Sequence, residues 1–507
     1  MRKGFLGSIA ALAGTASLAW GQTPIQPIEP LITPEIVQTQ SAAPVEAGSP
    51  FTDPVPFGGG MMPPGGPGGF GPIGGGMGPI GGQPYGGMPS SAFGQPPMPS
   101  HPGGGHPGGG HQGQGFSRLY GGVDYLLWFP KALSVPVPLV TTSAPLSQGI
   151  LGLPTTQVLA GGEDVGFNTQ SGVRINLGGF ISPNGRIGFD VSGFIMEPRT
   201  VSTIAASDTF GSPTLARPFT DSTSGLPSSL LISYPNYATG TTQVDVSTKL
   251  WGTEGSLLLN MYRSDEDAKH RLIINTTVGY RYLQLDEGVT VNSTTNVLTR
   301  GVNPNFDSSL TPGVFNENVA VFGGLFTTGP VNIGVLDSFR TVNQFNGASF
   351  GLNGELRWNR WVMSGSSKIG VGVMHQQLEV VGQSTLTPGF PSPQTGVASA
   401  NSFAPGGLLA TVGSIGKFND DKFAVIPELN FQLGFALTRN ITMFGGYNFL
   451  YISDVVRPGD QMTNRVDASL VPASFDYGRS GLTPVTRTMQ STEYWIHGLN
   501  FGVQLQF

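Results

Sequence analysis

The sequence predicts an all-β protein: a closed antiparallel up-and-down transmembrane β-barrel of about 10–12 strands with long external loops, preceded by a disordered Gly/Pro-rich arm. Three observations carry that expectation. An export leader is followed by no apolar stretch long enough to cross a membrane as a helix. Period-two hydrophobic alternation then recurs through residues 116–507. Short and long connections alternate between the alternating runs.

The leader is MRKGFLGSIAALAGTASLAWGQ, residues 1–22. Arg2 and Lys3 supply a positive start, Phe5 to Leu18 an apolar core, and Ala19 and Gly21 a small-residue site for cleavage before Gln22. That is the pattern of a secretory signal peptide, too short for a spanning helix. The mature chain is therefore expected outside the cytoplasm.

Composition narrows the function classes. The 507 residues include 77 Gly, 42 Pro and no Cys, and charged residues make up 11%, against about 25% in ordinary soluble domains. Without cysteine there are no disulfides, thiol nucleophiles, zinc ribbons or iron–sulfur clusters. A net charge of -6 over this length gives no footprint for nucleic acid.

Residues 23–115 read as a Pro/Gly-rich linker. From Phe57 to Gly115 the chain holds 25 Gly and 12 Pro and no charged side chain, a composition that cannot bury enough apolar area to offset backbone entropy. His101, His106 and His111 recur every five residues there. Proline follows the first two, so the adjacent amide that copper would deprotonate is missing. The segment is read as a spacer or tether to cell-envelope material rather than a metal site.

From Phe116 onward, strands follow one another. Ile187, Phe189, Val191 and Ile195 share one face; Phe350, Leu352, Leu356 and Trp358 share another; Phe423, Val425, Leu429, Phe431, Leu433, Phe435 and Leu437 a third. The same alternation marks 118–129, 171–181, 242–262, 270–285, 361–380 and 441–452, and the chain ends on Trp495, Leu499, Phe501, Val503, Leu505 and Phe507. Strict alternation signals strands with one apolar and one polar face. Short turns at 182–185, 263–269, 359–360 and 438–440 alternate with long segments at 130–170, 197–241, 286–343, 382–421 and 453–491. Ten strands result, or twelve if a hairpin at 408–418 joins them. In lipid the sheet must close, because unpaired backbone groups there are costly. His497 falls on the apolar parity and is the one local misfit.

Charges on the polar parity are the lumen-lining candidates: Arg174, Arg186, Asp190, Asp245, Glu254, Arg271, Arg281, Glu355, Arg357, Lys368 and Glu428. They either line a pore or brace a closed lumen with ion pairs, since a barrel of this strand number is narrow. Pro136 and Pro138 read as a strand terminus. Arg457 and Asp460 flank a Pro-Gly turn across which they are placed to pair. Asp286 and Glu287 read as a solvated turn at a strand end rather than a calcium site. No P-loop, G-x-S-x-G, H-E-x-x-H or EF-hand pattern occurs, so neither a cofactor nor catalysis is expected.

Several blocks taken together resemble the seventh family of beta-barrel porins, found chiefly in planctomycete bacteria. They are YGGVDYLLWFPKALSVPVPLVTT at 120–142, LWGTEGSLLLNMYR at 250–263, GYRYLQLDEGVTV at 279–291, QFNGASFGLNGELRW at 344–358, FAVIPELNFQLGFAL at 423–437, GYNFLYISDVVRPGDQM at 446–462 and YWIHGLNFGVQLQF at 494–507. The resemblance implies a barrel in the bacterial outer membrane across residues 118–507 and carries over no catalytic or binding residues. Its expected partners are outer-membrane lipid and small solutes or ions. The expected activity is porin-like passive diffusion. The alternatives are a closed structural or adhesive barrel acting through its loops and, more weakly, an outer-membrane barrel enzyme.

Overall fold

A computed structural model describes residues 37–40, 119–265, 270–298, 319–328, 330–388, 401–478 and 488–507. The leader, and the linker apart from Val37–Gln40, lie outside the described residues. Val37–Gln40 pairs antiparallel with Val201–Ile204.

Ten strands form a ring: β1 Leu119–Pro130, β2 Gln170–Phe180, β3 Ile187–Met196, β4 Ala238–Arg263, β5 Arg271–Val297, β6 Val331–Trp358, β7 Trp361–Pro388, β8 Gly416–Ala436, β9 Ile441–Val456 and β10 Ser491–Gln506. Each pairs antiparallel with its neighbours in chain order, and β10 closes on β1 from Tyr120↔Gln506 to Pro130↔Ile496. Among the described residues each ring strand is paired on both sides near the short turns, which is what lipid demands. Tight turns join the strands at one end. Between β6 and β7 the turn is Asn359-Arg360, flanked by the pair Trp358↔Trp361, and Asn359 takes the left-handed φ of 55° that such a hairpin requires.

Residues 408–418 do not add a barrel hairpin. Ser402–Pro405 pairs with the far end of β7 instead, outside the ring.

The strands differ greatly in length, from 10 residues in β3 to 28 in β6 and β7. About 9–11 tilted residues cross a bilayer, so β4 to β8 continue far past it. Along each long strand the polarity of the two faces reverses. On β5 the outward side carries Val278, Tyr280 and Tyr282, then Gln284, Asp286, Thr290, Asn292, Thr294 and Asn296. Its inward side runs from Thr277, Gly279 and Arg281 to Leu283, Leu285, Val289 and Val291, the last four fully buried. On β4 the outward side reads Leu259, Leu257 and Gly255 near the turns but Lys249, Ser247, Asp245 and Gln243 farther on. The geometry does not change; the solvent does. Lipid meets the outer face near the short turns, and water meets it beyond.

The reversal revises two expectations. Asp286 and Glu287 do not end a strand, because β5 continues ten residues farther to Val297. Asp245 does not face the lumen: it lies on the outward parity of Leu257 and Leu259, accepting from Ser202 Oγ at 2.5 Å. It is polar because the outer face is wet at that height.

Above the lipid level the long-strand extensions enclose an outer domain. A five-stranded sheet of Leu133–Ser143, Gln157–Val165, Thr214–Asp221, Pro227–Ser233 and Arg465–Val466 packs there. Its core shares side chains with the barrel wall: Leu133, Val135, Leu139 and Phe219 cluster with Val289, Val291, Val335, Phe339, Leu378 and Val380. Burying such a side chain stabilises by roughly 1.5–3 kcal/mol. Pro136 and Pro138 do not terminate a strand. They sit within Leu133–Ser143 where its register shifts between Val135, Pro138 and Val140, since proline is accommodated at bulges.

Candidate functional site: the barrel lumen and its cap

The lumen is filled in layers. Nearest the short turns, Tyr120 donates its hydroxyl to Asp190 at 2.8 Å. Arg357 pairs with Glu355 and donates to Gln506 Oε1 at 3.2 Å. Arg271 stands beside Arg357 in register. These residues are partly exposed and form a polar vestibule. Arg186 lies in the turn itself, exposed, its backbone amide held by Ser182 Oγ at 2.9 Å.

The next layer is a buried, charge-balanced network. Arg281 on β5 donates through Nε to Glu254 on β4 at 2.7 Å and through Nη2 to Glu428 on β8 at 2.6 Å. Lys368 on β7 reaches the other Glu254 oxygen at 2.8 Å. Across the ring, Arg174 Nη2 donates to Asp124 at 2.6 Å and Nε to the same oxygen at 2.9 Å. Three cations meet three carboxylates, so the layer carries no net charge. The strand between β5 and β7 makes room for these contacts: a Cβ on Gly351 would stand 2.9 Å from Lys368 Cγ. Paired in this way, the charges cross-link β2 to β1, β4 to β5 and β7, and β5 to β8, inside the lumen.

Above the charges lies an apolar layer. Leu126, Met196, Leu250, Leu283, Phe345, Met374, Ile426, Leu450 and Ile496 meet inside the ring, with Trp128 and Tyr494 among them. Every strand but β2 contributes, and none of these side chains is more than 3% exposed. Side chains lining a water-filled passage would be wetted; these are packed against one another.

Two buried ion pairs then fasten the cap. Arg457, following β9, binds Glu287 with Nη2 at 2.6 Å and Nε at 2.9 Å, and donates from Nη1 to the Ala132 carbonyl at 2.7 Å. Its guanidinium lies 5.5 Å from the centre of the Tyr494 ring. Arg217, in the outer sheet, pairs with Asp337 on β6 at 2.5 Å, both fully buried. Asp337 also accepts from the amides of Ala410 and Leu408 at 2.7 and 3.2 Å. Arg457 therefore pairs with Glu287 and not, as its spacing suggested, with Asp460. Glu287 is buried and bound rather than solvated. Burial pushes the Asp460 carboxyl up from its ordinary range, against the pull of the nearby Arg457.

Of the eleven charges expected on the lumen wall, Glu254, Arg281, Lys368 and Glu428 form one network and Arg174 a second pair. Asp190, Arg271, Glu355 and Arg357 stand in the vestibule, Arg186 in a turn and Asp245 outside. Asp124 was missed, although it is an acid on the parity of Leu126 and Trp128. Arg217 and Arg457 lie in irregular sequence where no period announces a partner.

On the outer face an aromatic girdle surrounds His497. Tyr447 Oη and His497 Nδ1 are 2.9 Å apart, and the rings of Phe129 and Trp495 lie 5.6 and 5.5 Å from the imidazole. The misfit histidine is thus bonded within a belt at the interface level.

A closed antiparallel ring with an apolar band, an interfacial aromatic belt and a polar-to-apolar lumen defines a β-barrel of the bacterial outer membrane. The chain belongs to the family described as Putative beta barrel porin-7, whose pattern it matches over residues 120–311 and 325–507. Among solved structures it is similar to the outer membrane protease OmpT of Escherichia coli, at 9% identity and a TM-score of 0.32, covering 77% of this chain and 97% of that one. It is also similar to a FadL homologue of Pseudomonas aeruginosa, at 10% identity and a TM-score of 0.19, covering 77% and 90%. No curated protein matches. The barrel is read from its own closed ring rather than from these likenesses.

Proposed function

We propose that this porin-family barrel is closed across its lumen and serves as a membrane-held base for the outer domain, which acts at the cell surface. The observation that carries the reading is the apolar layer from Leu126 to Ile496, contributed by every strand but β2 and excluded from water. Opening a passage there would expose that surface and break packing that stabilises the ring. Export follows cleavage before Gln22, outer-membrane lipid surrounds the apolar band, and the 23–115 segment tethers the barrel to envelope material. No catalytic step belongs to this reading.

The polar vestibule favours a second reading, passive diffusion of small solutes, in which the apolar layer moves aside. Conductance of the purified protein in planar bilayers separates the two. The closed reading expects no unitary steps at any salt or voltage; steady conductance of the unmodified protein overturns it.

A further inference from the structure

A row of neutral polar side chains crosses six strands inside the lumen. In direct cross-strand register, Asn260 on β4 faces Asn275 on β5, which faces Asn353 on β6, then Ser366 on β7, Asn430 on β8 and Asn448 on β9. Each lies on the inward parity of its strand. Neighbouring strands are about 4.7–4.9 Å apart, so the row is a continuous band of hydrogen-bonding groups. It climbs, from three residues before the end of β4 at Arg263 to seven residues after the start of β9 at Ile441. The band thus leads from the short-turn mouth to the charged layer, where Asn448 Oδ1 accepts from Arg174 at 3.4 Å.

Several of its hydrogen bonds are unmet. Asn260 donates to Asn275 at 2.8 Å. Asn353 Oδ1, Asn430 Oδ1 and Asn448 Nδ2, however, are buried without a hydrogen-bond partner among the described residues, as is Oδ1 of Asn500 on β10. Asn448 and Asn500 are 2% and 0% exposed, and buried amide atoms left unpaired are costly. Water reaches the row from the mouth, for the inward side chains of Arg357, Glu355 and Glu428 are 29%, 23% and 22% exposed.

Below Asn448 on the same strand, Phe444 stands in register between Gly434 and Gly502. A Cβ on Gly502 would lie 2.6 Å from Phe444 Cζ. The bare backbone there lets the ring lie along the wall of β10, half-buried, with one face to the lumen. The unmet atoms include acceptors and a donor, and an amide turned end for end exchanges the two. A partner must therefore donate and accept at several points, which a hydroxyl does with a single atom. A hydroxylated ring also carries C–H bonds on its faces, which suit an aromatic surface.

We propose that the lumen, entered from the short-turn mouth, binds a small hydroxylated ring of monosaccharide size, its rim on the amides from Asn353 to Asn448 and one face on Phe444. The site lies below the apolar layer, so it fills whether or not the lumen conducts.

The chain has no cysteine, so Ser366→Cys places a sole thiol in the row between Asn353 and Asn430, and Ser364→Cys a second one nearer the mouth. Asn292→Cys, exposed on the outward side of β5, is the control. Full-length protein in lipid nanodiscs is treated with N-ethylmaleimide beside glucose, inositol or cyclohexanol, after heat-modifiable gel migration confirms the barrel. Glucose and inositol are expected to slow alkylation of the lumen thiols by about fivefold at about four times Kd, as mass action predicts. The control should not change, and cyclohexanol, a ring with one hydroxyl, should not protect. Asn353→Leu with Asn430→Leu should abolish protection, and Phe444→Leu, which leaves the row untouched, should weaken it severalfold. Equal slowing at the control, no protection at either lumen thiol, or no alkylation of them at all overturns the site. Protection that survives both sets of substitutions assigns it elsewhere and overturns it too. Cyclohexanol protecting as well as glucose overturns the ligand class.

Discussion

Arg457 Nη2 lies 2.6 Å from Glu287 Oε1, joining the segment after β9 to the inner wall of β5 across 170 residues of chain. Both side chains are almost wholly buried. Removing one partner of such a pair strands the other charge, at a cost of roughly 3–5 kcal/mol, whereas apolar replacement of both is often tolerated. Arg457→Ala is therefore expected to render the outer domain protease-sensitive while the barrel keeps its heat-modifiable migration. Arg457→Met with Glu287→Leu should restore resistance. Equal sensitivity of the single and double variants would refute the clamp.

The apolar layer can be opened deliberately. Leu126→Ala, Phe345→Ala and Tyr494→Ala together remove three of its large buried side chains, and large-to-alanine changes in cores cost about 2–5 kcal/mol each. If this layer closes the lumen, the triple variant conducts in planar bilayers where the parent does not. Adding Arg281→Gln leaves Glu428 without its cation while Lys368 still holds Glu254, an excess of one negative charge that should shift the variant toward cations. A triple variant that inserts but stays silent would place the closure elsewhere.

The reversal of strand polarity predicts opposite tolerances on one outer face. Arginine in place of Phe431, exposed in the apolar band, should cost about 2–4 kcal/mol and impair assembly. Asn292→Lys, on the outward side of β5 beyond the band, should stay within about 0.5 kcal/mol. Folding yields into vesicles, read by gel mobility, compare the two. Similar losses at both positions would mean that the membrane boundary is drawn wrongly.

Asp460 gives the outer domain a pH dependence. Its carboxyl is raised in the folded state by burial, so the folded chain holds this proton to higher pH than the unfolded chain. The contribution is complete below the unfolded carboxylate pKa of about 3.9 and is lost as pH rises through the higher folded value. Asp460→Asn should thus unfold at higher temperature than the parent near neutral pH and match it near pH ~3. A difference that persists unchanged in acid would assign the effect to packing.

The ring itself was legible because lipid enforces one rule at every second residue: β1, β2, β3, β9 and β10 keep close to the residues their alternation marked. The extensions of β5 and β6 were not, because the alternation there exchanges sides and residues such as Val289 and Val335 resemble loop sequence when judged by the lower half. The lumen charges were found by parity, yet which cation meets which carboxylate depends on neighbours contributed by distant strands. Glu254 touches Arg281 from the adjacent strand and Lys368 from three strands away. The pairing of the cap was missed: Arg457 was noticed beside Asp460 but not matched with Glu287, and Arg217 has no period to betray its partner Asp337.

The exchange of faces along β4 to β8 works as a phase shift in a binary code. A sliding average of hydropathy cancels across it, because each window holds the same number of apolar residues on either side of the boundary. The sign of the alternation does not cancel. In this chain the waterline is written where odd and even positions trade roles, and its depth in the membrane can be read from that one change of phase.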